Sequence, residues 1–140
     1  LALRGSDCRL ERQLLVYPCC DFDTTRPSYL ENPDGPIVTT ASMPAVNAMY
    51  CPDPAMQRDP LAAPLLADSH AGLPPAYIAV AEHDPLRDSG LVYAQALQRA
   101  GVPLVLDRGP GLIHGYLRAM AHCADVRASF ARMCDWLAAP

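Results

Sequence analysis

The stretch Ala81-Glu82-His83-Asp84-Pro85-Leu86-Arg87-Asp88-Ser89-Gly90 decides the fold, together with Gly111-Leu112-Ile113-His114-Gly115-Tyr116 further along the chain. An apolar run from Ala76 to Ala81 stops at an acidic cluster, and a helical pattern starts within a few residues. That places Asp84 where a strand gives way to a helix. In an open parallel sheet the carboxyl ends of the strands share one edge, and ligands bind in the crevice outside it. A second apolar run, Val102 to Leu106, leads into the glycine-flanked loop that bears His114. Asp84 and His114 are therefore expected on the same edge.

Outward from this centre, Arg12 to Tyr17 reads as a short strand buried on both faces and closed by Pro18. A long loop is expected from Cys19 to Thr39. A helix capped by Thr40 runs to about Tyr50, with Pro44 near its first turn and Met43, Val46 and Tyr50 on one face. Six prolines between Cys51 and Pro75 forbid a long regular element. Leu86 to Ala100 is helical, with Tyr93, Ala94, Leu97 and Ala100 as its stripe and Gly101 as terminator. A last helix spans about Asp125 to Ala138, with the stripe Val126, Phe130, Met133, Cys134 and Leu137. Strand and helix alternate, which predicts an α/β fold of three parallel strands flanked by helices and joined by long Pro-rich loops.

Composition bounds the function. The 140 residues are 51% hydrophobic and 19% charged, a globular balance. The net charge of −4, with no basic stripe, argues against nucleic acid and anionic membranes, so a small-molecule substrate is the expected partner. The six cysteines contain no Cys-x-x-Cys pair, which argues against structural zinc and suits free thiols in a reducing cytoplasm. No run of 18 apolar residues is present to span a membrane. The chain opens on Leu1, and Leu1 to Gly5 reads as the last turn of a helix whose body lies further upstream. Oligomeric state is not encoded in any feature of this pattern.

The chemistry rests on two residues, each with a plainer reading beside it. Asp84 before Pro85 is a good helix start, and that reading is compatible with a catalytic one. Asp88 suits the helix dipole, and it also stands within the same turn as a second acid for the histidine. Glu82 and His83 read as rim residues. Gly111 and Gly115 permit the tight loop that presents His114, whereas His70 and His122 have no such setting. Gly109, Gly111 and Gly115 imitate a dinucleotide fingerprint, but Pro110 removes an amide and the spacing is wrong, so no cofactor is expected. A metal site from His83, Asp84 and His114 lacks the His-Glu-x-x-His spacing.

A carboxylate bonded to one imidazole nitrogen fixes the tautomer, and the other nitrogen then takes a proton from a nucleophile. In the α/β-hydrolases the chain order is serine, acid, histidine, and Asp84 and His114 follow it. None of Ser6, Ser28, Ser42, Ser69, Ser89 and Ser129 has the Gly-x-Ser-x-Gly setting of a nucleophile elbow.

These blocks, with Leu73-Pro74-Pro75-Ala76, Tyr93-Ala94, Ala100-Gly101-Val102, Tyr17-Pro18, Pro27-Ser28-Tyr29, Asp34-Gly35 and Asp59 to Leu65, resemble the carboxyl-terminal half of the hormone-sensitive-lipase-like esterases of the α/β-hydrolase fold. The resemblance implies a carboxylic ester hydrolase for short- to medium-chain acyl esters, with Asp84 as triad acid and His114 as general base. It also implies that residues 1–140 are a partial domain, whose oxyanion loop and nucleophile elbow lie upstream. A non-catalytic small-ligand binder of the same fold, and an acyltransferase on the same triad, stay open as alternatives. Met43, Met49, Leu66 and Ile113 are expected to shape the pocket.

Overall fold

The computed structural model describes residues 1–139. Three strands, β1 (Gln13–Val16), β2 (Ala76–Ala79) and β3 (Leu104–Asp107), form one parallel sheet in the order β1-β2-β3. Gln13 pairs with Ala76 and Ala76 with Leu104, so the three carboxyl ends leave the sheet together at Val16, Ala79 and Asp107.

β2 is buried throughout because it has a strand on either side, and its alternating side chains build two cores. Ala76, Ile78 and Val80 pack with Tyr93, Ala94 and Leu97 of helix α3 (Arg87–Arg99). Tyr77, Ala79 and Ala81 pack on the other face with Val126 and Met133 of helix α4 (Ala124–Ala138). The expected arrangement of three parallel strands flanked by helices is the one observed. β1, expected to be buried on both faces, is only half-buried, since among the described residues β2 is its one neighbour in the sheet.

Helix α3 ends as its sequence predicts. Gly101 adopts φ +73°, its amide donates to the Gln98 carbonyl, and the Val102 amide donates to the Leu97 carbonyl at 3.0 Å. This is the paired C-terminal bonding that a left-handed glycine permits. Val102 and Leu97 then meet in the same core.

Other elements depart from expectation. The loop from Cys19 to Thr39 contains a short helix α1 (Pro27–Glu31), with Pro27 in its first turn, where a missing amide costs nothing. Thr39, not Thr40, is the cap. It exchanges bonds with Ser42 around a 3-10 turn (Thr40–Ser42) that precedes helix α2 (Met43–Tyr50). The Pro-rich span up to β2 holds only two 3-10 turns, Met56–Arg58 and Pro64–Leu66.

The buried face of α4 is also rotated from the expected stripe. Val126, Ser129 and Met133 are buried, whereas Cys134 is exposed and Phe130 and Leu137 are 41% and 48% exposed. Polar anchors set this rotation. Ser129 Oγ donates to Asp107 Oδ2 at 3.1 Å, Arg132 bonds the same oxygen at 2.7 Å, and Trp136 packs on Tyr77. All six cysteines are free, and of them Cys20 and Cys51 are buried. Among the described residues no helix is long and apolar enough to cross a membrane.

Candidate active site

Asp84 lies just beyond the end of β2 and is fully buried. Its Oδ1 accepts the Leu86 amide at 2.8 Å, and its backbone carbonyl accepts the Arg87 amide. Both bonds fix the carboxylate. Because α3 starts at Arg87, Asp84 caps a turn leading into the helix and not the helix itself, a correction to the plainer reading.

The loop bearing His114 is pinned to the same edge by backbone bonds. The Glu82 amide donates to Gly109, the His83 amide donates to Leu112 at 2.9 Å, and His83 and Ile113 form a parallel bridge. The Gly111 amide donates to the Glu82 carboxylate at 2.7 Å, so Glu82, taken as a rim residue, fastens the loop. At Gly109 a Cβ would stand 2.4 Å from the Val80 carbonyl oxygen, so only glycine permits this approach.

The result is a direct contact. His114 Nδ1 lies 2.7 Å from Asp84 Oδ2, and the His114 side chain keeps 18% of its surface exposed. Among the described residues Nε2 has no hydrogen-bond partner. The arrangement can hold one tautomer, with Nδ1–H donating to the carboxylate and Nε2 left to exchange a proton.

Asp88 is elsewhere engaged. Its Oδ2 accepts the Ser28 amide at 2.9 Å and its Oδ1 accepts Arg87 Nε, so it ties α1 to α3 and does not meet His114. Ser89 is buried structure: its hydroxyl donates to Asp21 and accepts the Cys20 amide. His70 is buried against Tyr93 with Nε2 on the Pro64 carbonyl. No three His, Cys, Asp or Glu side chains among the described residues are grouped to hold a metal ion.

Several neighbours escaped the sequence reading. Tyr17, just past the end of β1, has φ +40°, a conformation a non-glycine residue rarely takes, and its ring centre lies 4.7 Å from that of His114. Asp21 is buried and paired with Arg26 and Ser89, which fixes the loop after Pro18. Cys19 sits beside this loop. The residue is exposed overall, yet the atoms packed around its thiol desolvate it and raise it above the ordinary value, its bond to the Asp21 carbonyl opposes, and the charges of Asp21 and Asp84 raise it further.

A cavity of about 380 Å³ opens beside His114. Phe22, Ile37, Val38, Met43, Val46 and Leu86 supply most of its apolar wall. Of the residues expected to shape it, Met43 does. Met49 and Leu66 are exposed, and Ile113 stands outside the wall.

Residues 1–118 match the family described as alpha/beta hydrolase fold. The chain is 43% identical over 108 residues to carboxylesterase NlhH of Mycobacterium tuberculosis H37Rv, covering 75% of this chain and 34% of that protein. It is 34% identical over 106 residues to an ethyl acetate hydrolase of Pseudomonas putida, covering 76% of this chain and 33% of that protein. The crystal structure of a thermostable esterase from Pseudomonas putida ECU1011 superposes with a TM-score of 0.87 at 35% identity, covering 94% of this chain and 42% of that one. The chain thus spans about a third of the length of these curated relatives. By the match over residues 1–118, and by the parallel sheet with its buried acid at a strand end, this chain belongs to the alpha/beta hydrolase fold family.

Proposed function

We propose that the protein is a carboxylic ester hydrolase in which Asp84 and His114 are the acid and base of a Ser-His-Asp triad, the serine coming from outside residues 1–140. One observation carries the reading: the 2.7 Å contact between Asp84 Oδ2 and His114 Nδ1, with His114 lining an apolar cavity. The names of the esterase relatives support the same class.

His114 Nε2 takes the serine hydroxyl proton as the serine oxygen bonds to the ester carbonyl carbon. The imidazolium, stabilised by Asp84, gives that proton to the departing alkoxide as the tetrahedral intermediate collapses to an acyl-serine. Water repeats the sequence and releases the acid. The cavity volume suits an acyl group of short to medium length.

The test is hydrolysis of p-nitrophenyl butyrate by the protein with every residue its gene encodes, against His114→Ala. Turnover is expected to fall by at least about 1000-fold, in line with the loss of a triad member. A His114→Ala protein that keeps its turnover would refute the assignment.

A further inference from the structure

Helix α2 turns an apolar face toward the cavity. Met43, Val46, Asn47 and Tyr50 share one side of the helix by their spacing, and all four line the space beside His114. Val46 and Tyr50 are 48% and 68% exposed, although α2 packs Met43 into the core. A face this apolar and this open is suited to a ligand's carbon skeleton.

Asn47 breaks the pattern. His114 is held by Asp84 through Nδ1, and three further polar groups on the wall are already committed. Cys19 Sγ bonds the Asp21 carbonyl, the Asp21 carboxylate holds Ser89 and Arg26, and the Ser42 hydroxyl bonds Thr39. The Tyr50 hydroxyl stands on a side chain turned largely to solvent. The Asn47 backbone carbonyl accepts the Cys51 amide, but among the described residues its half-buried carboxamide has no partner. A carboxamide is neutral and both donates and accepts. An apolar moiety seated there would displace water from it without replacing the bonds, a loss that selects against such a ligand.

We propose that Asn47 is a specificity-determining residue, which bonds a neutral oxo or hydroxyl substituent on the part of the ester seated in this cavity. The inference rests on the ester-hydrolase reading above and narrows it. The favoured substrates are oxo- or hydroxy-substituted esters, and plain alkyl esters are poorer.

The experiment compares two matched pairs in the protein with every residue its gene encodes: p-nitrophenyl 5-oxohexanoate against hexanoate, and 4-oxopentyl acetate against pentyl acetate. Each is assayed with wild type and Asn47→Leu. Taking the ratio of ratios removes the intrinsic reactivity of the oxo esters. In at least one pair the wild type is expected to favour the oxo ester over that baseline by about 5- to 10-fold in kcat/KM, the effect of one net hydrogen bond. Asn47→Leu is expected to lower the oxo ester and raise the alkyl one. Equal losses on both members of each pair, with the ratios unmoved, overturn the proposal. Should none of the four esters be cleaved, the hydrolase reading falls and binding decides this one. The Asn47 side-chain amide resonances must then shift on titration with 5-oxohexanamide and not with hexanamide, and equal responses overturn it.

Discussion

Asp84 divides its two carboxylate oxygens: Oδ1 takes the Leu86 amide at 2.8 Å and Oδ2 faces His114 Nδ1 at 2.7 Å. The first bond is one that asparagine can also accept, while the second needs a carboxylate to fix the tautomer and balance an imidazolium. Asp84→Asn is therefore expected to preserve much of the turn yet lower turnover by about 10,000-fold, as in the serine-protease triad. Asp88→Asn, at a carboxylate bonded to the Ser28 amide and Arg87 and not to the histidine, is expected to lower thermal stability with little effect on turnover. Assaying both variants on one short-chain ester, with melting temperatures, checks the pair. Near-normal turnover for Asp84→Asn would dethrone it as the acid.

Asp107 gives a prediction about pH. Burial raises its carboxyl, but Arg132, the Gly109 amide and the Ser129 hydroxyl together outweigh burial and hold it below its ordinary 3.8. The folded state thus favours the charged form. This stabilisation is fully present above the unfolded value and is lost as pH falls through the lower, folded value. Asp107→Asn is expected to cost about 1–3 kcal/mol at pH 7, as for hydrogen bonds to a charged group. The gap in melting temperature between variant and wild type should narrow below about pH 4, near the carboxylate reference value. A gap constant down to pH 2.5 would deny the linkage.

Much of the fold and the meeting of Asp84 with His114 was legible because both follow short-range rules. Apolar runs of strand length, a glycine after α3 and the chain order of Asp84 and His114 are properties of neighbouring residues. What escaped depends on partners far apart in sequence. α4 turned away from its apolar stripe because Ser129 and Arg132 reach Asp107, more than 20 positions earlier. The cavity wall draws Phe22 and Val38 from a loop whose path is set by Asp21, Arg26 and Ser89. The left-handed Tyr17 precedes a proline, where local preference is for extended backbone, so nothing nearby in the sequence announces it.

Residues 1–140 by themselves are expected to lack esterase activity. On the triad proposed above, Asp84 and His114 act on a nucleophile, and no serine of this chain has the Gly-x-Ser-x-Gly setting of an elbow; Ser89, next to the site in sequence, is buried and bonded to Asp21. Loss of even one oxyanion donor costs about 100- to 1000-fold in turnover. The purified chain should hydrolyse p-nitrophenyl butyrate no faster than its Asp84→Ala, His114→Ala form. A clear excess would mean that a nucleophile is present within the chain.

Of the three left-handed glycines in the loop that carries His114, Gly109 and Gly111 matter for different reasons, and alanine tells them apart. At Gly111, φ is +71° and a Cβ would meet nothing within 4 Å, so Gly111→Ala carries only the backbone penalty, about 1–2 kcal/mol. At Gly109, φ is +51° and a Cβ would lie 2.4 Å from the Val80 carbonyl oxygen and 3.4 Å from Ala81 Cα. Those are backbone atoms of the segment that leads to Asp84, and no side-chain rotation relieves the clash. The loop must move away from Val80 and Ala81, which strains the Glu82-to-Gly109 and His83-to-Leu112 bonds that set His114 against Asp84. Gly109→Ala is therefore expected to destabilise by more than Gly111→Ala. In the protein with every residue its gene encodes, it is also expected to lower kcat by about 100-fold, the penalty for misplacing a catalytic group by about 1 Å. Melting temperature and kcat measured on both variants check this. Equal effects at the two glycines would show that the contact with Val80 does not hold the histidine loop in place.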